Sequence, residues 1–369
     1  MTQLPGREVL SQADLKSRID AELRAFVRAE TDLLEAVDPL LAPVGAQLRA
    51  AVADGKRVRA SFCYWGWRAA GQGDSPAMVR AAAAMELVHA AALVHDDLID
   101  DSPLRRGIPT PHIALRDATA KAPDPDGAAR SLALLVGDLL MAWAGQMFTG
   151  CGLPALYLAR ARPMWSVLAR ELIAGECLEV LRTGTETDPQ ESLTIVRYKT
   201  AKYTVEHPLH IGGRLGGASD RTLRIFTEYG LPLGEAFQLR DDLLAVFGDP
   251  VLTGKSNLDD ITAARPTALI AYARQGAAPR DRSVLDRLLG RDDLGAADLA
   301  EVRAILQRSG ARGRVEQLIA QRVRRARAAL AGAGAGARTG TGAAPGSTLP
   351  RSAAEALDHL AEAVTTRRS

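Results

Sequence analysis

Asp96, Asp97, Asp100 and Asp101 close the apolar stretch AMELVHAAALVHDDLIDDSPLRRG, where carboxylates gather only if something offsets their charge. Asp96 and Asp100 are four residues apart, so on a helix their carboxylates stack on one face, about 5.4 Å apart along the axis. Such a pair repels itself unless a cation lies between. Hard oxygen donors that leave coordination positions open suit Mg²⁺ bound together with substrate phosphates. A solvated acidic helix end is the ordinary alternative, although the helix dipole disfavours acids at a C-terminus. Arg105, Arg106 and Gly107 follow within a few residues, where a turn would return guanidinium groups to the same phosphates.

A second stretch, LGEAFQLRDDLLAVFGDPVLTGKSNLDDI, sets Asp241 and Asp242 in another apolar helix that Gly248 and Pro250 terminate. Asp249 comes eight residues after Asp241 and would share its face two turns on, while position 245 between them is Ala. Lys255 stands in a loop able to fold over a leaving diphosphate, and Asp259 and Asp260 precede Arg265. Two metal-binding carboxylate clusters across a bundle, with basic residues at the rim, suit the ionisation of a diphosphate. Metal ions neutralise the departing oxygen, and an apolar cavity keeps water from the carbocation left behind.

The elements that must hold these groups are helices. Of the 369 residues, 47% are apolar but only 4% aromatic, and Ala, Leu and Arg dominate over β-branched types. The fold class expected is all-α: one large helical bundle around a central cavity, with a core over about residues 20–330. Periodicity gives helices through LKSRIDAELRAFV and TDLLEAVDPLLAPVGAQLRAAVA, broken near Pro39 and Pro43. Further helices are expected over about 76–101, 153–182, 190–216, 219–248 and 266–274. KAPDPDGAAR reads as a surface loop, residues 331–350 as a low-complexity Gly/Ala-rich linker, and 351–366 as a last amphipathic helix.

Lys and Arg number 46 against 44 Asp and Glu, a net charge of +2, so no global field draws nucleic acid or an anionic membrane. Three widely spaced cysteines, none in a CxxC pattern, argue against a disulfide framework or zinc site. The N-terminus has no apolar signal core and no uninterrupted apolar run reaches spanning length, so a cytoplasmic protein without an integral membrane segment is expected.

With GKRVR at 55–59, HAAALVHDDLIDDSPLRRG at 89–107, YKTAKYT at 198–204, FQLRDD at 237–242 and GDPVLTGK at 248–255, the chain resembles the trans-prenyl diphosphate synthases over roughly residues 20–330. The resemblance implies the isoprenoid synthase fold, a homodimer, and condensation of isopentenyl diphosphate with an allylic prenyl diphosphate, with geranylgeranyl diphosphate the favoured product. It implies Mg²⁺, three ions per active site, on Asp96, Asp100 and Asp241, with Asp97 and Asp242 in support. It places Arg105, Lys199, Gln238 and Lys255 on the allylic diphosphate and Thr200 beside the developing cation. Lys56, Arg59, His89 and Arg106 would hold isopentenyl diphosphate, and Arg265 stands where the family often has Lys. Departures from the pattern are Asp54 and Ala60 flanking the first motif, Ala245 in place of an aspartate, and His207 where an arginine is frequent.

If the product grows back along the first aspartate helix, Ala91 and Ala92 leave room beyond fifteen carbons, and Met141, Trp143 or Met147 would close the tunnel. Longer-chain polyprenyl or farnesyl diphosphate synthases are the near alternatives. A class I terpene cyclase would need only one diphosphate site. A ferritin-like di-iron bundle is suggested by Glu86 and His89 but wants two ExxH motifs, and a non-catalytic partner subunit would have little use for intact aspartates.

Overall fold

A computed structural model describes residues 11–250, 256–335 and 349–365. The helices are α1 (Gln12–Glu35), α2 (Ala42–Val52), α3 (Val58–Ala69), α4 (Pro76–Ile99), α5 (Pro111–Ala114), α6 (Pro125–Thr149), α7 (Ala155–Arg182) and α8 (Pro189–Ile195). A π-helix, Val196–Glu206, then leads into α9 (His207–Gly216) and α10 (Asp220–Phe247). After them come α11 (Asp259–Thr262), α12 (Ala268–Gly276), α13 (Pro279–Leu288), α14 (Ala296–Arg308), α15 (Ala311–Ala335) and α16 (Arg351–Thr365). Among the described residues the one sheet is a hairpin of two-residue strands, β1 (Leu104–Arg105) and β2 (Ile108–Pro109). The fold is all-α.

Local chemistry sets the boundaries that matter for the site. Ser75 caps α4 by accepting the Met78 N–H, with Pro76 in the first turn, a strong start signal. The helix stops at Ile99 and Asp101 turns left-handed at φ 50°. The hairpin that follows joins Leu104 to Pro109 and Arg105 to Ile108, and its two turn residues, Arg106 and Gly107, both have positive φ, at 54° and 76°. That is the backbone of a two-residue primed turn. It folds Arg105 back onto the end of α4.

Four features differ from the sequence expectation. KAPDPDGAAR is only half a loop, because Asp124 caps the Gly127 N–H and α6 begins at Pro125. The segment expected as one helix over 190–216 contains the π-helix, a form in which an extra residue per turn re-aims side chains, often at functional sites. Helix α15 continues through Ala335, so the first residues of the expected linker are helical, as alanine favours. Two helices, Pro76–Ile99 and Pro125–Thr149, are long and apolar enough to cross a membrane by length and composition, against the expectation of none. Within the bundle the most apolar window of the first is 72% buried and that of the second 44%. Helix α4 is apolar because it runs through the core.

The core forms two clusters. The larger gathers α1, α3, α4, α6 and the first half of α10 around residues such as Leu15, Ile19, Leu23, Phe62, Met85 and Phe226, all fully buried. The smaller packs Leu239, Leu243 and Val246 of α10 against Ile270, Leu285, Ile305 and Val315. Helices α10 and α15 contribute to both. Helix α16 closes one side, where Tyr229 donates its hydroxyl proton to the Leu357 carbonyl at 2.7 Å. Helix α7 meets the π-helix so closely that a Cβ on Gly175 would lie 2.2 Å from the Lys199 nitrogen, and this contact presses the acidic face of α7 toward the cavity.

Candidate active site

Helix α4 presents His89, Ala92, Leu93 and Asp96 to a cavity of about 770 Å³, a stripe with the three- and four-residue spacing of one helix face. Asp96 Oδ1 accepts from Lys199 Nζ at 2.9 Å and Oδ2 accepts from Arg105 Nη2 at 2.9 Å. Burial opposes its ionisation, but Lys199, Arg265 and Arg105 outweigh it and hold the carboxyl below its ordinary range. Asp97 lies beneath, 3% exposed, and takes Arg105 Nε on both oxygens at 2.8 and 2.7 Å. Asp100 pairs with Arg265, and burial followed by the charge of Asp96 pushes it up to about 6 against that arginine. Asp101 turns away to Arg130.

Across the cavity, α7 supplies two carboxylates that the sequence reading missed. Lys199 Nζ is 2.6 Å from Glu179 and 3.0 Å from Glu176. One oxygen from each of Asp96, Glu176 and Glu179 lies within 4.8 Å of the others, and Glu176 Oε1 is buried without a hydrogen-bond partner. Burial, then repulsion from Asp96 and Glu179, raises Glu176 even though Lys199 works the other way. Hard, crowded oxygen donors of this kind fit a divalent cation such as Mg²⁺.

The second aspartate pair arrives on α10. Asp241, Asp242, Gln238 and Ala245 all line the cavity. Gln238 accepts from Thr200 Oγ1 at 2.8 Å and donates to Asp242 Oδ1 at 2.8 Å, joining the π-helix to the motif. Asp242 is 5% exposed, and burial, with Asp260 and Asp241 adding to it against the Gln238 bond, pushes it up to about 8. The expected stacking of Asp249 over Asp241 does not occur, because α10 ends at Phe247, Gly248 is extended, and Asp249 is exposed outside the lining. Arg265 reaches Asp100 of the first motif and stands 3.5 Å from Asp260, just before it in the chain. Lys255 lies outside the described residues.

The other end of the cavity is cationic. Lys56, Arg59, His89 and Arg106 line it. Arg59 Nη2 donates to Tyr203 Oη at 2.6 Å and Thr204 Oγ1 at 3.0 Å, and its guanidinium lies 4.4 Å from the centre of the Tyr203 ring. His89 Nδ1 is 3.1 Å from the same hydroxyl. Burial, then Arg59, Arg105 and Arg106, lowers the His89 pKa well below its ordinary value, so the imidazole is neutral at pH 7. His89 and Asp96 are seven residues apart on α4, which separates the cationic and acidic ends by about 10 Å.

The cavity thus brings together Asp96, Arg105, Lys199, Asp241 and Asp242 with Lys56, Arg59, His89, Arg106, Thr200, Gln238 and Arg265. Asp97 and Asp100 stand just behind, each engaged by an arginine. Tyr203, Glu176 and Glu179 were missed. Tyr203 lay within the YKTAKYT motif and could have been found there. The glutamates of GECLEV read as ordinary helix surface until α7 is placed. Glu86 leaves no di-iron pair with His89, because its carboxylate accepts the Ala60 N–H at 2.9 Å. Of the two alanines expected along the tunnel, Ala92 lines the cavity and Ala91 is fully buried in the core.

Comparison with known proteins gives the same direction. The family model for polyprenyl synthetase matches residues 44–306. The geranylfarnesyl diphosphate synthase of Aeropyrum pernix is 33% identical over 279 residues, 70% of this chain and 82% of that protein. The geranylgeranyl diphosphate synthase of Saccharolobus solfataricus is 29% identical over 239 residues, 64% of this chain and 68% of that one. Among solved structures, geranylgeranyl pyrophosphate synthase from Corynebacterium glutamicum, complexed with isoprenyl diphosphate and magnesium, superposes with a TM-score of 0.88 at 31% identity, covering 97% of this chain and 100% of its own.

Proposed function

The chain belongs to the polyprenyl synthetase family of trans-prenyl diphosphate synthases, and from that premise we propose that it condenses isopentenyl diphosphate with an allylic diphosphate to make geranylgeranyl diphosphate. The observation that carries this reading is one cavity with an acidic end and a separate cationic end. A synthase must hold two diphosphates, and a cyclase only one.

In this reading the allylic diphosphate lies at the acidic end, with Asp96, Asp100 and Asp241 as ligands for three Mg²⁺ ions and Asp97 and Asp242 supporting them. The family depends on Mg²⁺, which when bound neutralises charge on the departing diphosphate. Arg105, Lys199, Gln238, Lys255 and Arg265 bind and orient that diphosphate. Thr200, tied to Gln238, directs its oxygen toward the allylic carbon as the C–O bond breaks. Lys56, Arg59, His89 and Arg106 hold isopentenyl diphosphate by charge and hydrogen bonding alone. Its double bond attacks the allylic cation, a carbon–carbon bond forms, and a proton leaves to the released diphosphate. No side chain need act as the base.

The small side chain of Ala92 supports a product longer than fifteen carbons. A homodimer fits the exposed apolar residues Leu134 and Leu135 on α6 and Ile173 and Val180 on α7, and sedimentation at micromolar concentration should give twice the chain mass. We place the enzyme in the cytoplasm and read residues 1–369 as one synthase domain. The test of function is incubation with Mg²⁺, isopentenyl diphosphate and dimethylallyl, geranyl or farnesyl diphosphate in turn, with products sized by chromatography. A twenty-carbon product is expected from each. Accumulation of farnesyl diphosphate, or of chains of about twenty-five carbons or more, overturns the length, and hydrocarbon formed from an allylic diphosphate alone overturns the reaction.

A further inference from the structure

Arg57 stands between Lys56 and Arg59, yet its backbone and side chain do something different from theirs. It has φ 53° and ψ 38° at the start of α3, a left-handed conformation that a residue with a Cβ adopts only when its surroundings compel it. Its guanidinium is held by the surrounding protein. The residue is 4% exposed, Nε donates to Asp20 Oδ1 at 2.6 Å, Nη2 to the Val52 carbonyl at 2.6 Å and Nη1 to the Asp54 carbonyl at 3.2 Å. Nη1 is also 4.0 Å from Glu86. Arg57 also lines the cavity, but Nε, Nη1 and Nη2 each donate within the protein and the residue is almost fully buried, so it offers a phosphate less than Lys56 or Arg59 does.

The acidic partners come from two other helices. Asp20 on α1 accepts from Lys16 Nζ at 2.7 Å as well as from Arg57. Glu86 on α4 accepts the Ala60 N–H at 2.9 Å, one turn before His89. Ser61 donates to the Arg57 carbonyl at 2.7 Å. A Cβ on Gly55 would sit 2.9 Å from Arg57 Nη1, so the glycine before Lys56 leaves the guanidinium its place. The left-handed turn sets Lys56 on one side and Arg59, in the first turn of α3, on the other, and both line the cavity.

We propose that Arg57, clamped by Asp20 and Glu86, is a positioning residue for the isopentenyl diphosphate pocket, fixing the turn that presents Lys56 and Arg59. The inference rests on the reading of Lys56 and Arg59 as ligands of that diphosphate. A bidentate, forked arginine fixes a backbone turn in a way that lysine's point charge does not.

The test is steady-state kinetics on Arg57→Lys, Asp20→Asn and Glu86→Gln with both substrates varied, beside melting temperatures and a Lys56→Ala control. Arg57→Lys should raise KM for isopentenyl diphosphate about tenfold while KM for the allylic substrate and kcat stay within about twofold. Asp20→Asn and Glu86→Gln, which keep side-chain shape, should move the same KM and carry the test if Arg57→Lys does not fold. If Lys56→Ala raises that KM and these variants do not, or if they shift both KM values together as the melting temperature falls, the positioning role is overturned. An unchanged KM in Lys56→Ala instead overturns the reading of the pocket.

Discussion

Lys199 Nζ lies 2.9 Å from Asp96 Oδ1 and reaches Glu179 and Glu176 at the same time, so one ammonium from the π-helix neutralises carboxylates from α4 and α7. Burial works against its charge, but Asp96, Glu179 and Glu176 overcome that and raise its pKa above the ordinary lysine value. Replacing it by Met removes the cation shared by Glu176, Glu179 and Asp96 and leaves Asp96 with Arg105. The expected result is a fall in kcat of about a hundredfold. Added Mg²⁺ should also raise the melting temperature more in Lys199→Met than in the parent, because the metal then relieves repulsion that lysine relieved before. Kinetics and thermal melts with a Mg²⁺ series check both.

The two neighbouring alanines of α4 separate packing from chain length. Ala92→Phe adds bulk on the cavity side and should shift products toward fifteen carbons with little loss of stability. Ala91→Phe overpacks a fully buried site and should cost about 1–3 kcal/mol without shortening the product. Product sizing and denaturant melts on the two variants distinguish these outcomes.

Tyr203 joins Arg59 to His89 through one hydroxyl. Tyr203→Phe removes that bridge and keeps the ring beneath the guanidinium. The hydrogen bond is worth on the order of 1 kcal/mol, so KM for isopentenyl diphosphate should rise about fivefold while the allylic KM holds. An equal rise in both would show a general loosening of the cavity.

His207 and His210 give the protein an acid-sensitive layer behind the site. Burial pushes both down to about 4, in spite of Glu171 beside His207 and with Arg214 adding to the effect at His210. Between about pH 6.5 and 4 the unfolded chain binds protons that the folded chain refuses. Stability is therefore full above about pH 6.5 and falls as pH drops toward 4, by on the order of 3 kcal/mol for each histidine. His210→Gln, which can keep the 2.9 Å bond to Thr227, should flatten part of that slope when urea melts are compared across the range.

Much of the site was legible because its chemistry sits in short contiguous motifs whose helical spacing can be counted, as with His89, Ala92 and Asp96. What was not legible depended on how helices cross or end. Glu176 and Glu179 became site residues only when Gly175 let α7 press against Lys199. Asp249 lost its expected place because the extended Gly248 stops α10 early. Arg57 drew no role of its own from the sequence, and its left-handed backbone and buried partners are what set it apart from Lys56 and Arg59. Likewise the apolar run of α4 marks a core helix that the bundle surrounds, and composition alone does not distinguish that from a membrane span.

In the proposed reaction one cavity holds two diphosphates in different ways, one with metal and one without. Calorimetric titration of isopentenyl diphosphate and of an unreactive thiolo analogue of an allylic diphosphate, each with Mg²⁺ and with EDTA, addresses it directly. Isopentenyl diphosphate should bind with and without Mg²⁺ at affinities within about threefold, roughly 0.7 kcal/mol apart at most. The allylic analogue should bind only with Mg²⁺. Loss of isopentenyl diphosphate binding in EDTA, or equal binding of the allylic analogue in both conditions, would contradict the two-site account.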